Sequence, residues 1–284
     1  MSTIMRNGLI LFARCRSDGE CSLCPHKGKA VVYGPFPSRR RGLSLGINLF
    51  VGKKVCSFDC IYCFRGKTEI KVSNTSDVPR HIALKINAKI LREALVSSLS
   101  TVEETLEAID FSGNGEPTLH PNFPSFVDVV RDVTREFNLD VSLGIFTNAS
   151  LLNELNIIKA LLKLDHIEVK LDTVIEQKFK EINRPHEKIH LKKIVQGIKT
   201  LREKFHGTLA IQTLLLRYGR INNVTTHDAK RLAEVLETIK PDEVHIYTVY
   251  RKPQLPTVAK VTREEVKEFL NILVDYGLNV KVYL

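Results

Sequence analysis

The sequence predicts an α/β fold of parallel strands covered by helices, and three observations lead there. Short apolar runs rich in Val, Ile and Leu recur along the chain. Segments with helical periodicity separate them. The length of 284 residues is enough for one large α/β domain, or for one domain with a small extension.

The elements follow in order. Residues 42–50, GLSLGINLF, form the first strand, and a linker near residues 73–80 leads into a helical pattern over 80–99. Strands at 109–113, 141–148 and 166–172 then alternate with helices at 123–137 and 151–162. A longer connection after 172 leads to a helix at 191–205. Strands at 209–216 and 243–250 are followed by helices at 227–239 and 263–277, and NVKVYL is a further edge strand. Six principal strands each feed a helix, the pattern of a parallel sheet covered on its faces. The pattern fits both a barrel and an open doubly wound sheet. Two parts are expected: an extension over 1–41, and the main domain over 42–284.

Apolar content of 43% and charged content of 26% are ordinary for a globular protein in water. Residues 1–19 are too polar, and their apolar run too short, for a signal peptide or a membrane span. Six cysteines in two groups of three suggest metal sites rather than disulfides, so a cytoplasmic protein is expected. Of the net charge of +10, residues 1–75 carry +9, from 13 Lys/Arg against 4 Asp/Glu. That excess surrounds the cysteines. It compensates thiolate charge there, or forms a patch for an anionic substrate or nucleic acid.

Cys56, Cys60 and Cys63 stand at C-x3-C-x2-C directly after the first strand. Three thiolates can hold three corners of a [4Fe-4S] cubane and leave its fourth iron open to chemistry. Buried core thiols, or zinc completed by Asp59 or a distant histidine, are the alternatives. Cys15, Cys21 and Cys24 stand at C-x5-C-x2-C with His26 two residues on. A second [4Fe-4S] cluster, zinc held by the three cysteines and His26, and incidental thiols all remain open there.

Active groups in parallel α/β folds lie at the carboxyl ends of the strands. There the sequence places Gly113 and Gly115, which permit close backbone approach, the Glu116 carboxylate, and Pro117, which stiffens the turn. Asn148 ends the third strand. Lys170 and Asp172 end the fourth on one side of it, as a charge pair near cofactor or substrate if inward and a salt-bridged surface pair if outward. Thr213 lies on the fifth strand and is expected to face a ribose; Thr248 and Tyr250 end the sixth. Arg251 and Lys252 follow as cations for an anionic substrate or as ordinary rim charges. Arg184, Pro185 and His186 are expected at the tip of the long connection. Arg39, Arg40 and Arg41 hold phosphates, or cap the barrel bottom and balance charge.

The cysteine spacing, with Tyr62 just before the last cysteine, resembles the radical S-adenosylmethionine (radical SAM) superfamily. The resemblance implies a partial (β/α)6 TIM-like barrel with the cluster in the loop after the first strand. It implies reductive cleavage of S-adenosylmethionine to a 5'-deoxyadenosyl radical that abstracts hydrogen from a substrate, supported by a one-electron reductant protein. Gly115 and Glu116 match a Gly-Gly-Glu type motif that meets the methionine amino group, with Asn114 in place of its first glycine. Backbone groups at 248–250 would meet adenine. The lead-in Gly34-Pro35-Phe36-Pro37-Ser38-Arg39-Arg40 and the run Gly113 to Thr118 are similar to oxidoreductases related to the enzymes that form 4-demethylwyosine in tRNA. Those relatives pair the radical cluster with an upstream auxiliary cluster that binds pyruvate, with cysteines more dispersed than Cys15, Cys21 and Cys24. The implied substrates are tRNA, a peptide or protein, or a small molecule. A non-catalytic iron–sulfur or zinc RNA-binding protein is the reading from another class.

Overall fold

The structure, a computed structural model, describes residues 3–15 and 24–284. Ten strands form one sheet in the order in which they occur in the chain. They are β1 (Thr3–Arg6), β2 (Leu9–Arg14), β3 (Ala30–Ser38), β4 (Gly42–Ile47), β5 (Ala108–Phe111), β6 (Ser142–Thr147), β7 (His166–Lys170), β8 (Thr208–Leu215), β9 (Glu243–Thr248) and β10 (Val280–Tyr283). From β4 to β10 every neighbouring pair is parallel. The parallel strands therefore all present their carboxyl ends at one mouth. The expected mostly parallel α/β architecture, with the terminal strand at the edge, is what the chain adopts.

Eight helices accompany the sheet among the described residues: α1 (Arg80–Ala83), α2 (Ala88–Leu99), α3 (Phe123–Glu136), α4 (Leu155–Leu161), α5 (Glu176–Ile182), α6 (Leu191–Lys204), α7 (Thr226–Ile239) and α8 (Arg263–Asp275). Helix α3 buries Phe123, Phe126, Val127, Val130 and Val133, a three-and-four spacing that sets one apolar stripe against the strands. Thr262 and Glu265 form a capping box at the start of α8.

Three differences from the sequence expectation have local causes. The helical pattern over 80–99 is broken because the Asn87 side chain accepts a hydrogen bond from Ile90 N at 3.0 Å and starts α2 afresh. The first parallel strand ends at Ile47 rather than residue 50, because Asn48 Oδ1 accepts from Phe50 N at 3.3 Å and turns the chain out of the sheet. The connection after β7 contains α5, a seven-residue helix whose buried face is only Phe179 and Ile182. The 1–41 segment also contributes more than a loop. β3 pairs antiparallel with β4, and Leu11, Phe12, Val31 and Val32 belong to the same core as Leu45, Ile109 and Leu273.

The turn between β3 and β4 sends two arginines inward. Arg40 Nε lies 2.9 Å from the fully buried Glu168 carboxylate, with the rings of Phe146, Tyr247 and Tyr283 at 5.4, 5.3 and 5.9 Å. Arg41 pairs with buried Asp110 at 3.2 Å and donates to Ser142 O and Oγ. One side chain from the β3–β4 turn thus touches β6, β7, β9 and β10, so the parallel strands wrap around it as a partial barrel.

Burial alone would raise the Glu168 pKa, but the Arg40 charge and hydrogen bonds from His245 and Gln212 outweigh it and hold the group at about 2. A depressed carboxylate stabilises the fold above its unfolded pKa, and that contribution is lost as pH falls from about 4.5 through about 2. Arg40→Met should lower the unfolding free energy by about 3 kcal/mol at neutral pH by stranding a buried charge. Adding Glu168→Gln should restore most of the loss. Urea titration of both variants checks this, and equal stability of wild type and Arg40→Met at pH 7 would contradict it.

Candidate active site

The loop after β4 carries the three cysteines, and backbone contacts fix it in place. Residues Val55–Cys56 pair with Ile70–Lys71 as a short parallel ribbon. Val55 also bridges to Gly115 in the loop after β5, and its carbonyl accepts from Glu116 N at 2.9 Å. Gly115 has φ +99°, and a Cβ there would stand 1.6 Å from Val55 O, so only glycine fits. Asn114, in the position where the resembled motif has glycine, has a separate task. Its N–H donates to Asn48 Oδ1 at 3.0 Å, and its amide donates to Gly28 O at 2.8 Å and Phe50 O at 3.1 Å. Asn114 thereby ties the β5 loop to the segments on either side of β4.

The thiols face a buried ammonium. Lys54, only 5% exposed, donates from Nζ to Gly66 O at 2.6 Å. Burial would lower its pKa, but Cys63, Cys56 and Cys60 around it shift it upward. Cys56 Sγ accepts from Phe58 N at 3.4 Å and Asn148 Nδ2 at 3.5 Å, and Cys60 Sγ accepts from Asn183 Nδ2 at 3.5 Å. Burial pushes the Cys56 thiol well above its usual range, and pushes Cys60 to about 11 with help from Cys63 and Asp172. Thiols gathered around one cation and supported by N–H donors suit a thiolate-held cluster, whose sulfurs such donors stabilise. Among the described residues no three Cys, His, Asp or Glu side chains close on a single metal ion. A cubane does not need them to, because each thiolate takes a different iron.

Two buried carboxylates organise this loop. Glu116 Oε1 accepts from Thr118 N, Thr118 Oγ1 and Thr147 Oγ1 at 3.2, 2.7 and 2.8 Å, and Oε2 accepts from Asn148 N at 2.7 Å. Burial raises its pKa, while these donors oppose the rise. Asn148 then donates from Nδ2 to Ser57 Oγ at 2.9 Å, which links Glu116 to the cysteine loop. Asp172 Oδ2 accepts from Tyr62 OH at 2.5 Å and Asn183 Nδ2 at 2.7 Å, and Oδ1 accepts from Leu214 N at 2.8 Å. Lys170 Nζ lies 3.0 Å from Asp172 Oδ1 and pairs with Tyr247 OH, between the Tyr62 and Tyr247 rings at 4.8 and 4.4 Å. The Lys170–Asp172 pair is therefore both inward and salt-bridged.

Other expected residues fall elsewhere. Thr213 is fully buried and donates to Leu171 O at 2.8 Å, so it braces β7 against β8 instead of facing a ligand. Thr248 Oγ1 donates to Leu215 O and accepts from Val261 N, both at 3.0 Å. Tyr250 is 76% exposed. Arg184 and His186 do not stand on a free loop tip. Asp59 N donates to the carbonyls of Asn183 and Arg184, and His186 N donates to Ser57 O, so the segment is a wall of the cysteine loop. Arg40 is committed to Glu168 in the lumen, whereas Arg39 stays at the surface over the Tyr250 ring. Of the upstream group, Cys15 and Cys24 are half-buried, and Cys21 lies outside the described residues. His26 Nε2 is 3.2 Å from Thr3 Oγ1. Lys54, Asn183, Thr147 and Ser57 are site residues that the sequence reading missed. Only Lys54 left a signal, as the basic residue two before Cys56.

Residues 53–219 match the Radical SAM superfamily. The UPF0026 protein of Synechocystis sp. is 36% identical over 215 residues, covering 76% of this chain and 74% of that protein. The UPF0026 protein of Methanocaldococcus jannaschii is 33% identical over 225 residues, covering 78% of this chain and 64% of its own length. Among solved structures, Streptococcus suis SuiB bound to S-adenosylmethionine superposes with a TM-score of 0.59 at 14% identity, over 82% of this chain and 49% of SuiB. A radical SAM methyltransferase from Sphaerobacter thermophilus gives a TM-score of 0.62 at 16% identity, over 87% and 67%. These two likenesses are likenesses of fold. The chain belongs to the radical SAM superfamily, and membership implies a [4Fe-4S] cluster and S-adenosylmethionine.

Gly115→Ala should destabilise the protein by about 3 kcal/mol or more, because the loops must part or the backbone must strain. Denaturant unfolding measures this, and an unchanged midpoint would show that the two loops are not held in contact.

Proposed function

We propose that this chain is a radical SAM enzyme in which Cys56, Cys60 and Cys63 hold a [4Fe-4S] cluster and leave one iron for S-adenosylmethionine. When bound, that pair supplies a 5'-deoxyadenosyl radical by one-electron reductive cleavage, for hydrogen abstraction from a substrate. The observation that carries the reading is the gathering of the three thiols around Lys54 at the carboxyl-end mouth of a parallel barrel.

The chain's own residues position and shield. Lys54 balances thiolate charge from beneath the loop, and Asn148 and Asn183 donate toward the sulfurs. Gly113 and Gly115 bring the β5 loop close to the site, and Glu116 Oε2, with one donor already in place, has capacity left to accept from the methionine ammonium. Lys170 and Asp172 would meet a carboxylate or hydroxyl of the cofactor or substrate, and backbone groups at 248–250 would meet the adenine. The electron must come from outside the chain, from a one-electron reductant protein. Cys15, Cys21 and Cys24 are proposed to hold a second cluster, with zinc as the alternative metal. The Gly34–Arg40 lead-in and the Gly113–Thr118 run favour a tRNA-modifying oxidoreductase akin to the wyosine-related enzymes. The fold likeness to SuiB, whose structure bound to the precursor peptide SuiA is also known, supports a peptide-modifying alternative.

Two measurements test this reading. Anaerobically purified and reduced protein should convert S-adenosylmethionine to 5'-deoxyadenosine and methionine, and a triple Cys56, Cys60 and Cys63 to Ala variant should not. RNA binding with no cleavage by the wild type would point to the non-catalytic reading. Replacing Cys15, Cys21 and Cys24 should lower bound iron from about eight to about four per chain. Unchanged iron would remove the second cluster.

A further inference from the structure

Beside the cysteine loop the surface carries aromatic rings overlaid by cations. Phe64, the residue after Cys63, has Arg251 at 4.6 Å, Arg65 at 4.9 Å and Lys27 at 5.5 Å from its ring centre. The next ring along, Tyr250, is 76% exposed and has Arg39 at 4.7 Å. The rings and cations form one continuous ridge, because Arg251 follows Tyr250 in the chain and touches Phe64. The ridge is fastened to the cluster loop: Leu255 N donates to Ile61 O at 2.9 Å, and Gln254 Nε2 donates to Asp59 Oδ1 at 3.0 Å.

Among the described residues, Arg39, Arg65 and Arg251 form no ion pair with a carboxylate, whereas Arg40 and Arg41 in the adjoining turn each do. Asp59, the acidic residue within the cysteine loop, already accepts from Thr68 N and Gln254 Nε2. Arg65 Nε is shielded from solvent and lacks an acceptor. The Arg39 charge is disfavoured by partial burial and by neighbouring Arg40 and Arg251.

We propose that this ridge is a binding site for a nucleotide, whose phosphate meets Arg39, Arg65 and Arg251 and whose base stacks on Tyr250. Arginine suits phosphate through its planar fork of donors, and exposed aromatic rings suit unstacked bases of any identity. The ridge is poorly suited to S-adenosylmethionine, whose sulfonium and ammonium outweigh its one carboxylate and leave it cationic. The site therefore belongs to a substrate distinct from the cofactor, and it deepens the proposed function by naming that substrate's class. The nucleotide is either free or part of an RNA, and the two sources share the same recognition chemistry.

The test measures binding to the cluster-loaded protein with three fluorescent probes: a mononucleotide, a single-stranded RNA decamer and an oligoglutamate of matched charge. The RNA or the mononucleotide should bind, and RNA affinity should fall steeply with salt. Arg39→Gln with Arg251→Gln should weaken binding at least about 10-fold and reduce the magnitude of the log–log salt slope by about 1.4 for the RNA. Tyr250→Ala should weaken it at least about 5-fold at any salt. Preference for the decamer assigns the site to RNA, and equal affinity for both nucleotide probes assigns it to a single nucleotide. Oligoglutamate binding as tightly as the nucleotide probes, or no loss in any variant, overturns the proposal. 5'-Deoxyadenosine formation without substrate is followed in the same variants. Its absence in the wild type defeats the enzymatic reading and leaves the binding result to stand or fall alone.

Discussion

The carbonyl of Val55 occupies the space where any side chain on residue 115 would begin. That contact joins the cysteine loop after β4 to the loop after β5, backbone against backbone, and the mouth of the barrel is built outward from it. Once Val55 is fixed, Cys56 is fixed too, and Glu116 is delivered beneath it by the same two residues that make the contact. A loop proposed to hold a cluster through only three cysteines has little covalent reason to hold one shape. Here the shape comes from hydrogen bonds to the neighbouring strand ends.

Those hydrogen bonds form two branches. One runs from Glu116 through Asn148 to Ser57 and Cys56, and the other from Asp172 through Asn183 and Tyr62 to Cys60. Each begins at a buried carboxylate that accepts from three or more donors, which makes burial of the charge tolerable. Each ends at a sulfur. The buried Lys54 ammonium lies between the branches, and its charge opposes the rise that burial imposes on the Cys56 and Cys60 thiols. Geometry and electrostatics thus converge on one loop, with the arginines of the rim at its outer edge.

Much of this was legible in the sequence, and the exceptions have physical causes. The parallel strands were legible because short apolar runs such as Leu143 to Phe146 and Leu209 to Ile211 recur between segments of helical periodicity. The pairing of Lys170 with Asp172 followed from the two-residue period of a strand. Strand β3 was hidden by Pro35 and Pro37, which argue against a ladder. Pro35 is tolerated because the β3–β4 register shifts between Tyr33 and Phe36. The tie of Tyr62 to Asp172 and that of Asn183 to Cys60 could not be read from local pattern, since they span 110 and 123 positions of sequence. Asn114 read as a departure from a glycine motif. It is a three-donor tie between segments that the sequence alone does not bring together.

The central claim is that this loop presents a cluster with one iron free for S-adenosylmethionine, and electron paramagnetic resonance of the anaerobically reduced protein tests it most directly. A reduced [4Fe-4S] signal is expected, lost when Cys56, Cys60 and Cys63 are replaced, with g values that shift when S-adenosylmethionine is added. A signal indifferent to S-adenosylmethionine, or a loop that holds zinc and no iron, would contradict it.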